Sequence, residues 1–186
     1  MDFGQTITGS TNIISDVDDK LALDALKDPV IYQTIYDRWV EKVYHFFYFR
    51  TNNPTWAEDL TSQLFLSAYQ ALPRYYPRGH FAAWLFTIAR NLWKEYYRKS
   101  SREVSLEIAT NIPFAADISD EVTHLDEIAH LRQLIQSLPE NEQELIQLRY
   151  VSGLSFADMA IVLKKNESAV KKSLYRLQAR LLSLME

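Results

Sequence analysis

The chain of 186 residues has no cysteine. That absence removes disulfides, thiolate metal ligands and thiol nucleophiles, and it is compatible with a reducing compartment. Glycine is scarce, at four residues, and no Gly-rich phosphate loop is formed from them. No run approaches the roughly 18 apolar residues that a membrane span needs, and the N-terminus lacks a basic stretch followed by an apolar one. A soluble, unexported, cytoplasmic protein without membrane insertion is expected. His45, His80, His124 and His130 are scattered, no Ser-His-Asp arrangement is evident, and the only metal-like spacing is Glu127-x-x-His130. A di-iron bundle needs that motif twice, with further glutamates on facing helices. The chain is therefore expected not to be an enzyme and to carry neither metal nor cofactor.

Positive charge is also short overall, since the net charge is −4, which taken alone argues against a nucleic-acid partner. Its distribution says otherwise. Arg74, Arg78, Arg90, Lys94, Arg98, Lys99 and Arg102 stand against Glu95 alone between 72 and 102. Lys164, Lys165, Lys171, Lys172, Arg176 and Arg180 face only Glu167 and Glu186 from 161 onward. Between these two blocks, residues 103 to 131 hold acids and no Lys or Arg. Screening confines a field to roughly 8 Å at physiological salt, so two basic surfaces can bind nucleic acid whatever the overall sign.

Hydrophobic periodicity is helical throughout, which predicts an all-α fold of two small domains. Residues 1–27 are polar and weakly periodic and are expected to form a mobile tail with at most one helical turn near Leu21 to Leu26. The first domain spans 28–102. Ile31, Ile35, Trp39, Val43, Phe46 and Phe47 give its first stripe. Asn52-Asn53-Pro54 breaks that helix, and Thr55 is the expected cap of the next, through Leu60, Leu64, Ala68 and Leu72. After a Pro-rich loop, Phe81, Trp84, Leu85, Ile88 and Leu92 mark a third helix to about Lys99. An acidic, flexible linker is expected over 103–123. The second domain, 124–186, opens with a helix burying Leu125, Ile128, Leu131, Ile135 and Leu138.

The stretch from Leu138 to Leu182 has the pattern of a helix-turn-helix. Pro139 suits a helix start, Gly153 suits a C-terminus that needs positive φ, and Ser155 with Asp158 three residues on forms a capping-box variant. Phe156, Met159, Ala160 and Leu163 give the short second helix an apolar face. Asn166 can cap a third helix, whose buried stripe is Val170, Leu174, Leu177 and Leu181. Its opposite face carries Ser168, Ala169, Lys171, Lys172, Ser173, Tyr175, Arg176 and Arg180. Small residues at the leading end and cations farther along suit a major groove and its phosphates, although a solvated basic face would have the same pattern. In the loop before the third helix of the first domain, Tyr75 and Tyr76 lie between Arg74 and Arg78, where they can stack on an unpaired base while the cations hold its backbone. Trp84 is expected in the core. Trp93, Tyr96 and Tyr97 either pack or line the surface of Arg90, Lys94 and Arg98.

The run LPENEQELIQLRYVSGLSFADMAIVL followed by SAVKKSLYRLQARL closely resembles the C-terminal DNA-binding domain of bacterial sigma factors of the sigma-70 class, extracytoplasmic-function group. The resemblance lies in Leu138-Pro139, Leu148-Arg149-Tyr150, Gly153-Leu154-Ser155, Ala160 and Val170-Lys171, in that order and spacing. The N-terminal domain is similar as well. AEDLTSQLFLSAYQAL, at 57–72, resembles a helix that docks on the polymerase clamp. FAAWLFTIARNLWKEYYRK, at 81–99, resembles the part that melts and binds the start-proximal promoter element. The resemblance implies clamp contacts for Asp59, Ser62, Gln63 and Phe65. It implies promoter contacts for Arg90, Asn91, Lys94, Glu95 and Arg98, with an extruded base held in the loop of Tyr75 and Tyr76.

The chain departs from the family pattern at Ser62-Gln63, where Gln and then an acid are usual. It departs again at Lys164, Lys165 and Ser173 in the DNA-binding turn and helix. The partners implied are core RNA polymerase and promoter DNA, both duplex and melted strand, and the family admits an anti-sigma factor. Read from the residues alone, the rivals are a DNA-binding regulator that never joins polymerase and a helical protein-interaction module.

Overall fold

A computed structural model of the protein describes residues 8–104, 134–135 and 137–185, with side chains within 17–99, 134–135 and 137–184. Every element among the described residues is helical. Helix α1, Thr8–Ala25, occupies the segment expected to be a tail. Its described inner face is made of Ala22 and Ala25, both buried, of half-buried Leu21, and of two buried acids, Asp18 and Asp19; Asp18 Oδ1 accepts a 2.8 Å hydrogen bond from Arg38 Nε. Small residues and acids make a poor apolar stripe, so the sequence pattern under-reports a helix that packs closely.

Helix α2, Ile31–Thr51, buries Ile35, Trp39, Val43, Phe46 and Phe47, the expected stripe. It ends where Asn52 takes the left-handed region at φ 49° and returns its N–H to the Tyr48 carbonyl. Helix α3, Pro54–Ala71, is capped by Asn53 and not by Thr55: the Asn53 side chain accepts from the Trp56 N–H at 3.1 Å, and Pro54 fills the first turn. A 3-10 turn at Leu72–Arg74 and a loop in which Gly79 has φ 71° lead into α4, Phe81–Val104. Phe81, Leu85, Phe86 and Ala89 of α4 are fully buried. The Phe86 ring centroid lies 5.3 Å from that of Phe46 and 6.1 Å from that of Trp39, both in edge-on geometry.

In the C-terminal part, α5, Glu140–Ile146, runs on into a π-helical turn at Gln147–Val151. Pro139 stands one residue ahead of α5, at its cap. Gly153 takes φ 70°, which a side chain would strain. Ser155 then caps α6, Phe156–Leu163, its Oγ accepting from the Asp158 N–H at 3.0 Å. Lys164 adopts the left-handed conformation at φ 54°, so the turn keeps a geometry that usually favours glycine. Asn166 accepts from the Ala169 N–H at the head of α7, Glu167–Met185. Val170, Leu174 and Leu177 are buried, and Leu181 packs against Leu138, Ile146 and Leu177.

Helix α4 packs against α6, and α2 against the π-helical turn, so the helix-turn-helix and the N-terminal bundle share one continuous core that includes Leu148, Leu154 and Met159. Of the expected acidic linker only the backbone of Glu103 and Val104 is described, as the last turn of α4. The rest of it, and Leu125, Ile128 and Leu131, lie outside the described residues.

Candidate nucleic-acid and polymerase interfaces

The outer face of α7 is set by its inner one. With Val170, Leu174 and Leu177 committed to the core, Ser168, Ala169, Lys171, Lys172, Ser173, Tyr175, Arg176 and Arg180 are all exposed. Ser168, Lys171, Lys172, Tyr175 and Arg176, with Ala179, line a shallow concavity along the helix. Two cations are less free than their exposure suggests. Lys171 Nζ lies 5.7 Å from the Phe156 ring centroid and 5.9 Å from that of Tyr175. Arg180 is paired with Glu142 of α5.

The loop between α3 and α4 divides its two tyrosines. Tyr75 was expected to stack on a base, but its ring is already packed, 4.8 Å from the Trp84 centroid and 5.5 Å from that of Phe81. Its hydroxyl donates to Asp19 Oδ1 of α1. Burial, then that hydrogen bond and the nearby carboxylates, push the phenol well above its ordinary value, so it stays a donor. Tyr76 is 70% exposed, with the Arg78 guanidinium 4.9 Å from its ring centroid. The open ring of this loop is therefore Tyr76, flanked by exposed Arg74 and Arg78.

Along α4, Asn91, Lys94 and Arg98 are exposed, while Glu95 pairs with Lys99 at 2.8 Å. Trp93 stacks on Tyr96 at 5.8 Å, and Tyr96 in turn meets Trp56 of α3, so these rings pack; Tyr97 touches Trp93 at 5.9 Å but is the most exposed of the three expected there. Arg90 differs from the other expected promoter contacts. Its Nε donates to Glu144 Oε1 at 2.8 Å and its Nη2 to Oε2 at 3.2 Å. The same carboxylate takes Arg50 at 3.4 Å, and Arg50 is only 6% exposed. Burial draws Arg50 down to about 10 while Glu144 opposes the shift, which leaves it charged at neutral pH. Arg90 is thus held by the C-terminal part instead of standing free. At the start of α4, Asp158 of α6 accepts from Ser155 through Oδ2 and meets His80 Nδ1 at 2.8 Å through Oδ1.

On α3, Asp59, Ser62 and Gln63 are exposed as expected. Phe65 is not: it is buried, its ring 4.7 Å from that of Tyr36 and its carbonyl accepting from the Tyr32 hydroxyl at 2.7 Å. The exposed apolar residue of this face is Leu66, three and four positions beyond Gln63 and Ser62, with Tyr69 farther along. An exposed leucine in the row of Asp59, Ser62 and Gln63 was the available signal for it.

A helix-turn-helix with an exposed cationic helix is thus joined to a helical bundle that carries a second cationic face and an exposed aromatic loop. The family models described as Sigma-70 region 2 and Sigma-70, region 4 match residues 35–103 and 128–181, together more than half of the chain. The chain belongs to the sigma-70 family of RNA polymerase sigma factors, in the extracytoplasmic-function group.

Among its relatives, the sigma factor BldN of Streptomyces coelicolor is 38% identical over 148 residues, which are 76% of this chain and 55% of BldN. The chain thus spans little more than half the length of that relative. SigM of Bacillus subtilis is 28% identical over 151 residues, covering 81% of this chain and 92% of SigM. In fold, the sigma factor RpoE, solved with the anti-sigma factor NepR from Bartonella quintana, matches with a TM-score of 0.69 at 24% identity, over 83% of this chain and 96% of that one. CnrH, solved with the cytosolic domain of CnrY, matches with a TM-score of 0.63 at 22% identity, over 90% and 96%.

The two arginines of the Glu144 cluster should respond differently to truncation. Glu144→Ala leaves the buried Arg50 cation without its partner, a loss that costs roughly 3–5 kcal/mol in comparable buried pairs. Arg90→Ala leaves Glu144 still paired with Arg50 and should cost clearly less. Urea denaturation of the two variants measures the difference, and equal losses would contradict the assignment of Arg50 as the dependent partner.

Proposed function

We propose that this protein is a promoter-specificity subunit that joins core RNA polymerase, directs it to promoters and aids their melting. The observation that carries the proposal is the occurrence, in one chain that matches both sigma-70 regions, of two separate cationic faces and a third face with little charge. In this reading α7 enters the major groove of the upstream element, with Ser168 and Ala169 letting the backbone approach the bases. Lys171, Lys172, Ser173, Tyr175 and Arg176 lie along the groove, and Arg180 meets phosphate once it leaves Glu142. Arg74, Tyr76 and Arg78, with Asn91, Lys94 and Arg98 of α4, take the melted strand. Arg90 joins them when it exchanges the Glu144 carboxylate for a phosphate. Tyr75 serves from beneath, as the ring on which the loop rests.

Asp59, Ser62, Gln63 and Leu66 form the clamp-contacting face. Leu66 supplies apolar surface at a place where Ser62 and Gln63 bring no charge of their own. The reading assigns the chain no bond chemistry and places it in the cytoplasm, where polymerase is. It also admits as partner an anti-sigma factor, the class of protein bound in the RpoE complex.

Run-off transcription from genomic fragments tests the proposal. Discrete transcripts should appear only when core polymerase and this protein are both present, and the two should co-elute. Salt-sensitive duplex binding without co-elution would instead indicate a regulator, and neither activity a protein-interaction module. Within the proposal, Arg180→Ala should weaken duplex binding alike for all sequences and lower the salt slope by about 1, measured by titration at several salt concentrations. Tyr76→Ala should impair opening of a duplex promoter by about tenfold or more, since stacking one base on an aromatic ring contributes roughly 1–3 kcal/mol. A template carrying a pre-melted bubble should recover most of that loss.

A further inference from the structure

Two oxygens of one carboxylate hold both ends of the loop that carries Tyr76. Asp19, on α1, is 8% exposed. Its Oδ1 accepts the Tyr75 hydroxyl, and its Oδ2 accepts the Gly79 N–H at 2.6 Å. Gly79 is in the left-handed conformation, at φ 71°, which aims its N–H inward. Between these anchors lie only Tyr76, Pro77 and Arg78. Tyr76 and Arg78 are exposed and stacked on each other.

The carboxylate is itself fixed. Its neighbour Asp18 is bound to Arg38 of α2, and Ala22 and Ala25 of the same helix are buried. A chain of contacts therefore runs from the α1–α2 packing, through Asp19, to a three-residue bridge that presents one aromatic ring and one cation.

We propose that Asp19 is a positioning residue for capture of the melted promoter strand, clamping Tyr75 and Gly79 so that Tyr76 and Arg78 are held in their binding arrangement before the strand arrives. The inference rests on the reading of Tyr76 and Arg78 as strand contacts. Its physical content is preorganisation: a loop already ordered in the free protein does not have to be ordered by its ligand. Asp19 does not touch DNA. Its effect must pass through Tyr76 and Arg78, which makes it separable from a contact residue and from a purely structural one.

The experiment uses the full chain with core polymerase on a promoter recovered by run-off transcription, and compares opening of the duplex with a pre-melted template. Asp19→Ala should reduce duplex opening by about tenfold, the scale set by leaving roughly one residue of backbone to be ordered on binding. Asp19→Asn should restore most of it, because the amide oxygen can accept the Gly79 N–H while its NH2 donates to the Tyr75 oxygen. Tyr75→Phe keeps the packed ring, removes one anchor, and should give an intermediate loss even if Asp19→Ala folds poorly.

The decisive comparison is the double variant. Adding Tyr75→Phe, or Asp19→Ala where it folds, to Tyr76→Ala should cause clearly less loss than it does in the native chain, because only Arg78 is left to position. Full additivity of the two losses would overturn the inference, since it would mean that the Asp19 contacts act on general stability. So would normal opening by a folded Asp19→Ala protein in which Tyr76→Ala is impaired. Normal opening by Tyr76→Ala itself would instead refute the strand-capture reading on which the inference stands.

Discussion

Burial of one stripe of α4 is the constraint that positions everything else on the N-terminal bundle. Phe81, Leu85, Phe86 and Ala89 are withdrawn completely from water, against Trp39 and Phe46 of α2 among others. Helical spacing then leaves no choice about the remaining positions. Asn91, Lys94 and Arg98 fall on the opposite side, and Arg90 falls on the rim, where Glu144 meets it. The stripe also fixes where the preceding loop begins and ends, because Phe81 supports the Tyr75 ring from below. Full burial of aromatic and aliphatic side chains contributes about 1.5–3 kcal/mol each, several times what any exposed charge contributes. The polar faces are consequences of this packing and not its cause.

The acidity of the chain is compatible with two cationic faces because of where the carboxylates go. Asp18 is spent on Arg38, Asp19 on the loop, Glu142 on Arg180, Glu144 on Arg50 and Arg90, and Asp158 on His80 and Ser155. These acids bind groups of the protein itself. Lys172 and Arg176 are left on an exposed surface, and so are Arg74, Arg78, Lys94 and Arg98. Three of the pairs, Glu144 with Arg50, Glu144 with Arg90 and Asp158 with His80, join the C-terminal part to the N-terminal bundle. In the proposed reading, promoter engagement through Arg90 competes with a bond that also helps hold the two parts together.

Elements with a wide apolar stripe were legible in the sequence, and α2, α3, α4, α6 and α7 lie close to where periodicity puts them. Helix α1 was legible only as a turn near Leu21, because the rest of its described inner face is Ala22, Ala25 and two acids, which carry little hydrophobic signal even when packed. Cap choice depended on local backbone geometry: Asn53 and Thr55 are both good caps, and the extended conformation at Asn53 with Pro54 behind it decided between them. Two of the expected contact residues are turned inward for one cause. Tyr75 and Phe65 each stand next to an exposed residue, Tyr76 and Leu66, and which of two adjacent side chains faces outward is decided by packing, here Trp84 and Phe81 for Tyr75, and Tyr36 for Phe65. The partners Asp19 and Glu144 were out of reach for another reason. Each acts across more than fifty residues of chain, and no spacing rule relates positions that far apart.

The account divides recognition between an unpaired strand at the Tyr76 loop and a duplex at α7. A photo-crosslinking residue placed at position 76, and separately at 172, in open complexes on the same promoter measures that division most directly. The expected result is adducts from 76 on melted, start-proximal bases and adducts from 172 on the upstream duplex. Adducts from 76 on duplex DNA only, or none from 76 in a complex where 172 reacts, would contradict it.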